Sequence, residues 1–479
     1  MEAVPTSRQK AHEIIVDGTR FGTFAEIGAG QEVVGRFFAV GGASATVAKS
    51  ISAYDTTLSD AIYGHADHYV SRSRLTAMLD CEYQQLIERL DQKRGEQTRF
   101  FVFADTAASH SRAHQSGGHG WMGVRFQTEP RSPPSEAILH VQLLESVTDH
   151  LQDAIGRLGV NLMHAAFYNF QHPEQLIAAL KHNLDHGRIE VDVIRFSGPA
   201  FEGVDNRVMS LQLIEQGLTH AAMFSAAGEV MQCSEVLAGK PVLAGRGSFR
   251  PITNVALAVM DRAMAQLREE AGAPAERCVA LMEISTHNLR SPAPSGGAKG
   301  AIDGGDFLAR ADTLGALGKM VMISDFARYD ELVGYLRQYT RELIVMALGM
   351  PVLRDIFDGK YYTGLEGGIL EGVGRLFRGP VKLYVHPMKI SPEAEVVSSP
   401  ESLKVAPEIE HLYRHLTNNR LIVPIREFAD TQLEVSPVEV RKKIENGEAG
   451  WEPLVPPVVA ELIKQRGLFG YKPRQPRSD

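Results

Sequence analysis

Apolar residues recur at three- and four-residue steps through Arg74–Arg94, just after Ser73, with charged residues on the opposite face. That period predicts an amphipathic helix. Glu32–Val40 and Ala45–Tyr63 also read as helices, separated by the Gly41-Gly42 break. Asp17–Thr23 lacks the pattern of a buried strand. Residues 1–97 therefore read as an N-terminal helical region. From Thr98 the pattern changes to short apolar runs: Phe100–Ala104, Ile138–Leu144, Val191–Phe196, Ala221–Phe224, Pro241–Ala244, Cys278–Ile284, Lys319–Ser324 and Leu343–Leu348. Helical periods lie between them at Asn206–Gln216, Asn254–Glu270, Phe307–Leu317 and Tyr329–Thr340. Near-continuous apolar strands alternating with helices predict a mainly parallel sheet covered on both faces. The expected fold class is α/β, with a doubly wound, Rossmann-like core over residues 98–350. After Gly349 the pattern is mixed: a helix at Gly367–Phe377, a strand at Val381–His386, and an appendage from about Pro407. Residues 351–479 form the expected C-terminal region, ending in a tail over Lys472–Asp479.

Composition narrows this picture in a few places. At 479 residues the chain exceeds one ordinary core, and 44% hydrophobic with 23% charged residues is ordinary globular usage. A net charge of −8 disfavours nucleic acid as the main partner. The longest uncharged runs, such as Leu343–Leu353, fall short of the roughly 20 apolar residues a membrane span needs. Met1–Lys10 carries no apolar secretory core. Cys81, Cys233 and Cys278 are too widely spaced for a disulfide framework or zinc pattern and fit a reduced cytosol. The expectation is a cytoplasmic protein that does not enter membranes; homo-oligomerisation is left open.

Ligands of open parallel sheets bind outside the carboxyl ends of the strands, so the residues following each strand carry the candidate chemistry. Pro241–Ala244 is followed by Gly245-Arg246-Gly247-Ser248-Phe249-Arg250-Pro251. Two guanidinium forks beside small residues suit a phosphate or carboxylate. Glu283 sits near the end of Cys278–Ile284, and Asp325 follows Lys319–Ser324; either carboxylate suits Mg²⁺ or proton exchange. Asp205-Asn206-Arg207 opens a helix after Val191–Phe196 and adds Arg207 to the candidates. The plainer alternative is that these arginines and carboxylates pair with each other in a structural network.

Other motifs are less specific. Phe24–Gln31 resembles the glycine loop after the first strand of Rossmann-type methyltransferases, through Glu26, Gly28 and Gly30. A turn between two helices is the alternative. Gly42–Ser50 hints at a phosphate loop but has Ala48 where that motif has glycine. Gly296–Gly300 places a lysine among glycines within the long loop Ser291–Gly305. His110, His114 and His119 share a polar loop after Phe100–Ala104, with Asp105 at the strand end, a spacing compatible with metal ligation but not diagnostic. No His-Glu-x-x-His, Gly-x-Ser-x-Gly or His-x-Glu with Cys-x-x-Cys occurs.

The run Val435–Tyr471 (VSPVEVRKKIENGEAGWEPLVPPVVAELIKQRGLFGY) resembles the end of nicotinate-nucleotide adenylyltransferases. There a strand ending in Ile-Ser-Ser-Thr-x-Ile-Arg leads to a helix, then Leu-Val-Pro and a terminal helix. Val435, Ser436, Val440 and Arg441 match the first motif, and Leu454, Val455 and Pro456 the second. The resemblance implies that Ser436 and Arg441 contact nucleotide phosphate. Pro437 and Val438 depart from it, and the family's His-x-Gly-His has no counterpart. The remainder, including Phe24–Tyr63 and Arg246–Pro251, resembles a group of similarly long bacterial proteins.

The expected function is binding of a nucleotide or small phosphorylated metabolite, with nucleotidyl transfer from Mg²⁺-ATP as its most specific form. Arg246 and Arg250 then act on phosphate, Glu283 or Asp325 holds the metal, and Arg207, Ser248, Ser436 and Arg441 contact the nucleotide. A non-catalytic nucleotide-binding protein for sensing or assembly is the alternative, and a methyltransferase using Gly28 and Gly30 the third reading.

Overall fold

The computed structural model describes residues 4–109, 118–185, 187–290, 300, 302–389, 397–426 and 437–472. The chain divides into two compact units, residues 1–220 and 221–479.

The first unit runs α1 (Ser7–Val16), β1 (Arg20–Gly28), α2 (Val33–Val40), β2 (Val47–Ile51), α3 (Thr56–Tyr63), α4 (Arg72–Arg94), β3 (Arg99–Ala108), β4 (Gly118–Phe126), β5 (Ser135–Leu143), α5 (Thr148–Tyr168), α6 (Pro173–Leu180), β6 (Ile189–Ser197) and α7 (Asn206–Glu215). Its strands form one sheet in the order β2-β1-β3-β4-β5-β6. β1 is parallel to β2 and β3, and the remaining neighbours are antiparallel. Alternation along β4 and β5 sends Met122, Val124, Leu139 and Val141 into a core with Leu158 and Leu162 of α5. The opposite face meets α4 over β1, β3 and β4. The helical region expected over residues 1–97 is therefore corrected. It contributes two strands to the sheet, and Lys49 and Ser50 of the supposed phosphate loop lie on β2.

The second unit runs β7 (Ala221–Phe224), β8 (Val230–Met231), α8 (Cys233–Leu237), β9 (Val242–Arg246), α9 (Asn254–Ala271), β10 (Val279–Ser285), α10 (Gly304–Gly315), β11 (Met320–Ser324), α11 (Tyr329–Tyr339), β12 (Ile344–Gly349), α12 (Met350–Ile356), α13 (Gly368–Leu376), β13 (Val381–His386), β14 (Met388–Lys389), β15 (Val397–Ser398), α14 (Glu410–Asn418), β16 (Ile422–Pro424), α15 (Pro437–Glu445) and α16 (Pro457–Arg466). The main sheet has the order β16-β13-β12-β9-β10-β11-β7-β8. From β16 to β11 every pairing is parallel, and β7 and β8 close one edge antiparallel. This is the α/β parallel sheet that the alternating pattern predicts. It is not confined to residues 98–350, because β13 and β16 extend it into the C-terminal region. Val242, Ala244, Leu281, Met322, Met346 and Leu383 place the core on these central strands.

From β9 the chain proceeds to β10 and β11 on one side, then returns to lay β12 on the other side of β9. Strand order thus reverses between β9 and β12. A reversal of this kind leaves a crevice outside the carboxyl ends of the two strands, because their connections depart in opposite directions.

Candidate functional site

β9 and β10 pair in register, which sets Arg246 opposite Glu283. Glu283 is fully buried. Its Oε2 accepts from Arg246 Nε at 2.6 Å, and its Oε1 accepts from Arg246 Nη2 at 3.1 Å and from the Ser324 hydroxyl at 2.5 Å. Arg246 also donates to the carbonyl of Ala327 at 3.2 Å and lies 4.9 Å from the Tyr329 ring centroid. The pair is closed on itself, as the structural alternative describes. With both oxygens held and no exposure, Glu283 does not fit a metal ligand. Asp325 follows β11 and is half-buried.

The loop after β9 runs past Ser248 and Arg250 to Thr253, whose hydroxyl caps α9 by accepting from Ala256 N at 3.2 Å. Here the structure gathers side chains from three segments. Arg310 of α10 is buried and donates Nη1 to the Ser248 carbonyl at 3.0 Å and Nη2 to the Asn288 carbonyl at 3.2 Å. It also pairs with Asp306 one turn earlier. Asp306 in turn holds Arg250, with Oδ1 at 2.7 Å from Nε. Burial, followed by the charges of Arg250 and Arg441, opposes the Asp306 attraction and holds the Arg310 pKa below its ordinary value. Arg310 Nε is buried without a hydrogen-bond partner.

Arg441 reaches this cluster because the C-terminal segment packs on the sheet's helices. α10, α15 and α16 all contact the short turn Leu468–Gly470. Arg466 pairs with Asp312 of α10 at 2.7 Å, and Asn254, the first residue of α9, donates to the Pro453 carbonyl at 2.9 Å. Arg441 itself pairs with Glu445 at 2.8 Å and is half-exposed on its side chain.

Of the candidates read from sequence, Ser248 and Arg250 therefore meet around Arg310 and Asp306, Ser248 through its carbonyl and not its hydroxyl, while Arg441 lies near enough for its charge to act on Arg310. Arg246 and Glu283 meet only each other and their buried neighbours. Arg207 lies in the first unit, where it pairs with Asp205, the cap of its own helix, at 2.7 Å. Ser436, His110, His114 and residues 296–299 lie outside the described residues. Sequence reasoning missed Arg310 and Asp306. Their four-residue spacing behind Asp303-Gly304-Gly305 was the available signal of an ion pair at a helix start.

The glycine motif of the first unit has a different use. Gly28 adopts a positive φ of 79°. At Gly30 a Cβ would lie 2.1 Å from Asp105 Oδ1, so glycine is required there by packing against a carboxylate. Glu26 accepts from Val33 N at 2.8 Å and Val34 N at 3.1 Å, capping α2. Among the described residues no group of three or more His, Cys, Asp or Glu side chains is arranged to hold a metal. No helix among them is long and apolar enough to cross a membrane.

No family model and no curated protein matches the chain. Solved structures match parts of it. The competence/damage inducible protein CihA of Agrobacterium tumefaciens is 18% identical, covering 34% of this chain and 98% of its own, at a TM-score of 0.26. A CinA superfamily protein of Klebsiella pneumoniae is 10% identical, covering 34% and 96%, at 0.28. A Plasmodium falciparum nicotinic acid mononucleotide adenylyltransferase complexed with NaAD is 14% identical, covering 49% and 98%, at 0.29. These partial likenesses are to CinA-type and adenylyltransferase chains, and at such TM-scores they carry no argument about this chain's chemistry.

Proposed function

We propose that the second unit binds a phosphorylated ligand, and ATP in particular, outside the carboxyl end of β9, through Arg250, Arg310 and Arg441 beside Ser248. The observation that carries this reading is that Asp306 holds two guanidiniums, Arg250 and Arg310, with the charge of Arg441 felt at Arg310, next to the point where strand order reverses. Even with Glu445 paired to Arg441, positive charge is in excess there. Arginine forks match phosphate oxygens bidentately, and a partly buried site strengthens the attraction. Ser436 precedes the described start of α15, and the proposal extends to it as a further phosphate contact.

Nucleotidyl transfer is the finer form of the proposal. In it Asp325, which follows β11, meets Mg²⁺ carried by the triphosphate, and Glu283 stays with Arg246 and Ser324. The closure of the Arg246–Glu283 pair favours a second reading, binding without turnover. Titration calorimetry with ATP, with and without Mg²⁺, tests binding. Arg250→Ala and Arg441→Ala should each weaken it by about tenfold or more, since a hydrogen bond to a charged group contributes about 1.5–3 kcal/mol. Unchanged affinity in both variants would remove the cluster from the site. Pyrophosphate release from ATP with nicotinate mononucleotide then separates transfer from binding alone.

A further inference from the structure

The first unit carries a second constellation that the arginine cluster does not use. β4 and β5 present His119, Trp121, His140 and Gln142 on the sheet face opposite the main core, since Met122, Val124, Leu139 and Val141 alternate into that core. The register of β5 on β6 shifts between His140 and Val141, leaving Asp192 as an extra residue on β6. A bulge of this kind re-aims a side chain. Asp192 Oδ1 lies 2.5 Å from His140 Nδ1, and Gln142 Nε2 donates to its Oδ2 at 3.2 Å. His140 Nε2 lies 3.1 Å from His119 Nδ1. His140 and Asp192 are buried, whereas His119 is only partly covered.

With His140 neutral, these contacts set the protons. A carboxylate only accepts, so His140 donates from Nδ1 to Asp192. In neutral His140 the other nitrogen, Nε2, is then an acceptor, and it takes the Nδ1 proton of His119. The Nε2 of neutral His119 is thereby left with an open lone pair, for which the described residues supply no hydrogen-bond partner. Trp121 pairs with His140 in the β4–β5 register and lies 4.9 Å from its ring. Its Nε1–H is buried without a partner, an unused donor on the same face as the relay.

We propose that His119 is a general base, positioned by His140 and Asp192, that deprotonates a water or a ligand hydroxyl at its Nε2. As the proton moves to Nε2, the oxygen bonds an electrophilic centre of the ligand, whose leaving group departs with the bonding pair. The imidazolium so formed is stabilised through His140 by the Asp192 carboxylate, then returns its proton to the leaving group or to solvent. Burial holds His119 below the ordinary histidine value, with Asp192 opposing, so the base is neutral at pH 7. The titratable groups around it are His140 on β5 and Asp192 and Glu190 on β6, with His220 beside Glu190. Ala108 and Gln142, opposite His119 on β3 and β5, carry no charge.

The probe is p-nitrophenyl acetate with the full chain, read as p-nitrophenolate release against pH. His119→Gln should lower the protein-catalysed rate by about tenfold or more, the lower bound being modest for a positioned base. Asp192→Asn should lower it as well and move the midpoint of the pH profile, which loss of packing alone does not do. A rate unchanged in His119→Gln overturns the proposal. Long-range ¹H–¹⁵N spectra of the unmutated protein supply the check that needs no variant. His119 protonated at Nδ1 and bare at Nε2 at pH 7.5 is required, and the opposite tautomer overturns it.

Discussion

Arg246 ends β9, Arg250 follows four positions later in the loop, and the two do different work. The Arg246 side chain is 10% exposed and bound to a carboxylate with no exposure, whereas that of Arg250 is 27% exposed and shares Asp306 with Arg310. Removing Arg246 leaves Glu283 charged, buried and unpaired. Arg246→Ala should therefore cost about 3–5 kcal/mol of folding stability, and Arg246→Ala/Glu283→Gln should recover a large part of it. Urea unfolding of the three proteins checks this, and a single variant as stable as the parent would show that the buried pair does not hold the strand ends together. The distinction between the two arginines was not legible in sequence. Both sat beside small residues after an apolar run, and Arg246's partner lies 37 residues away, set by the β9–β10 register. Arg441 was legible only through the resemblance of its segment to another family's tail. Its proximity to Arg310 depends on how α10 and α15 share the turn Leu468–Gly470.

Among elements, several boundaries were read closely from pattern alone. Ala221–Phe224 and Val381–His386 match β7 and β13 residue for residue, and Asn254–Glu270 falls one residue short of α9. β1 was missed because polar and small residues fill positions that burial imposes on it. Gly22 is there because a Cβ would meet the Phe101 carbonyl at 2.1 Å, and Glu26 because it caps α2 from within the sheet. The in-register pairing of β1 with β3 sets Glu26 against Asp105, and both are buried. Neither Asp105 oxygen has a hydrogen-bond partner. Burial, then the charge of Glu26, raises Asp105 well above the usual carboxylate range, and burial raises Glu26 to about 7. The folded state thus keeps protons that the unfolded chain releases. The stability contributed is complete below about pH 4, where both states are protonated, and declines as pH rises through about 7. Asp105→Asn should flatten this decline in denaturant midpoints measured from pH 5 to 8. A slope unchanged by the substitution would mean that the pair is not the titrating element.

At the scale of the whole molecule, the expected divisions after residues 97 and 350 followed shifts in pattern along the chain, whereas the folded chain divides between His220 and Ala221. Local pattern cannot place such a boundary, because it is decided by which sheet a strand joins. β1 and β2 enter a sheet with β6, and β13 and β16 enter one with β9. Each unit has its own hydrophobic core, one built on β3–β6 with α5 and the other on β9–β13 with α11 and α12. Separate cores imply separate cooperative units. Residues 1–220 and 221–479, produced as two proteins, should each unfold in a single transition. The arginine cluster belongs to the second unit alone, so ATP should raise the melting point of the 221–479 protein and leave that of the 1–220 protein where it was. At about 100 times the dissociation constant the ligand adds about 2.7 kcal/mol, a shift readily resolved by calorimetry. Stabilisation of the 1–220 protein instead would move the nucleotide to the first unit, and with it the role now given to Arg250, Arg310 and Arg441. Stabilisation confined to 221–479 would show that one half of the chain suffices for the ligand and leave the face bearing His119 to chemistry of its own.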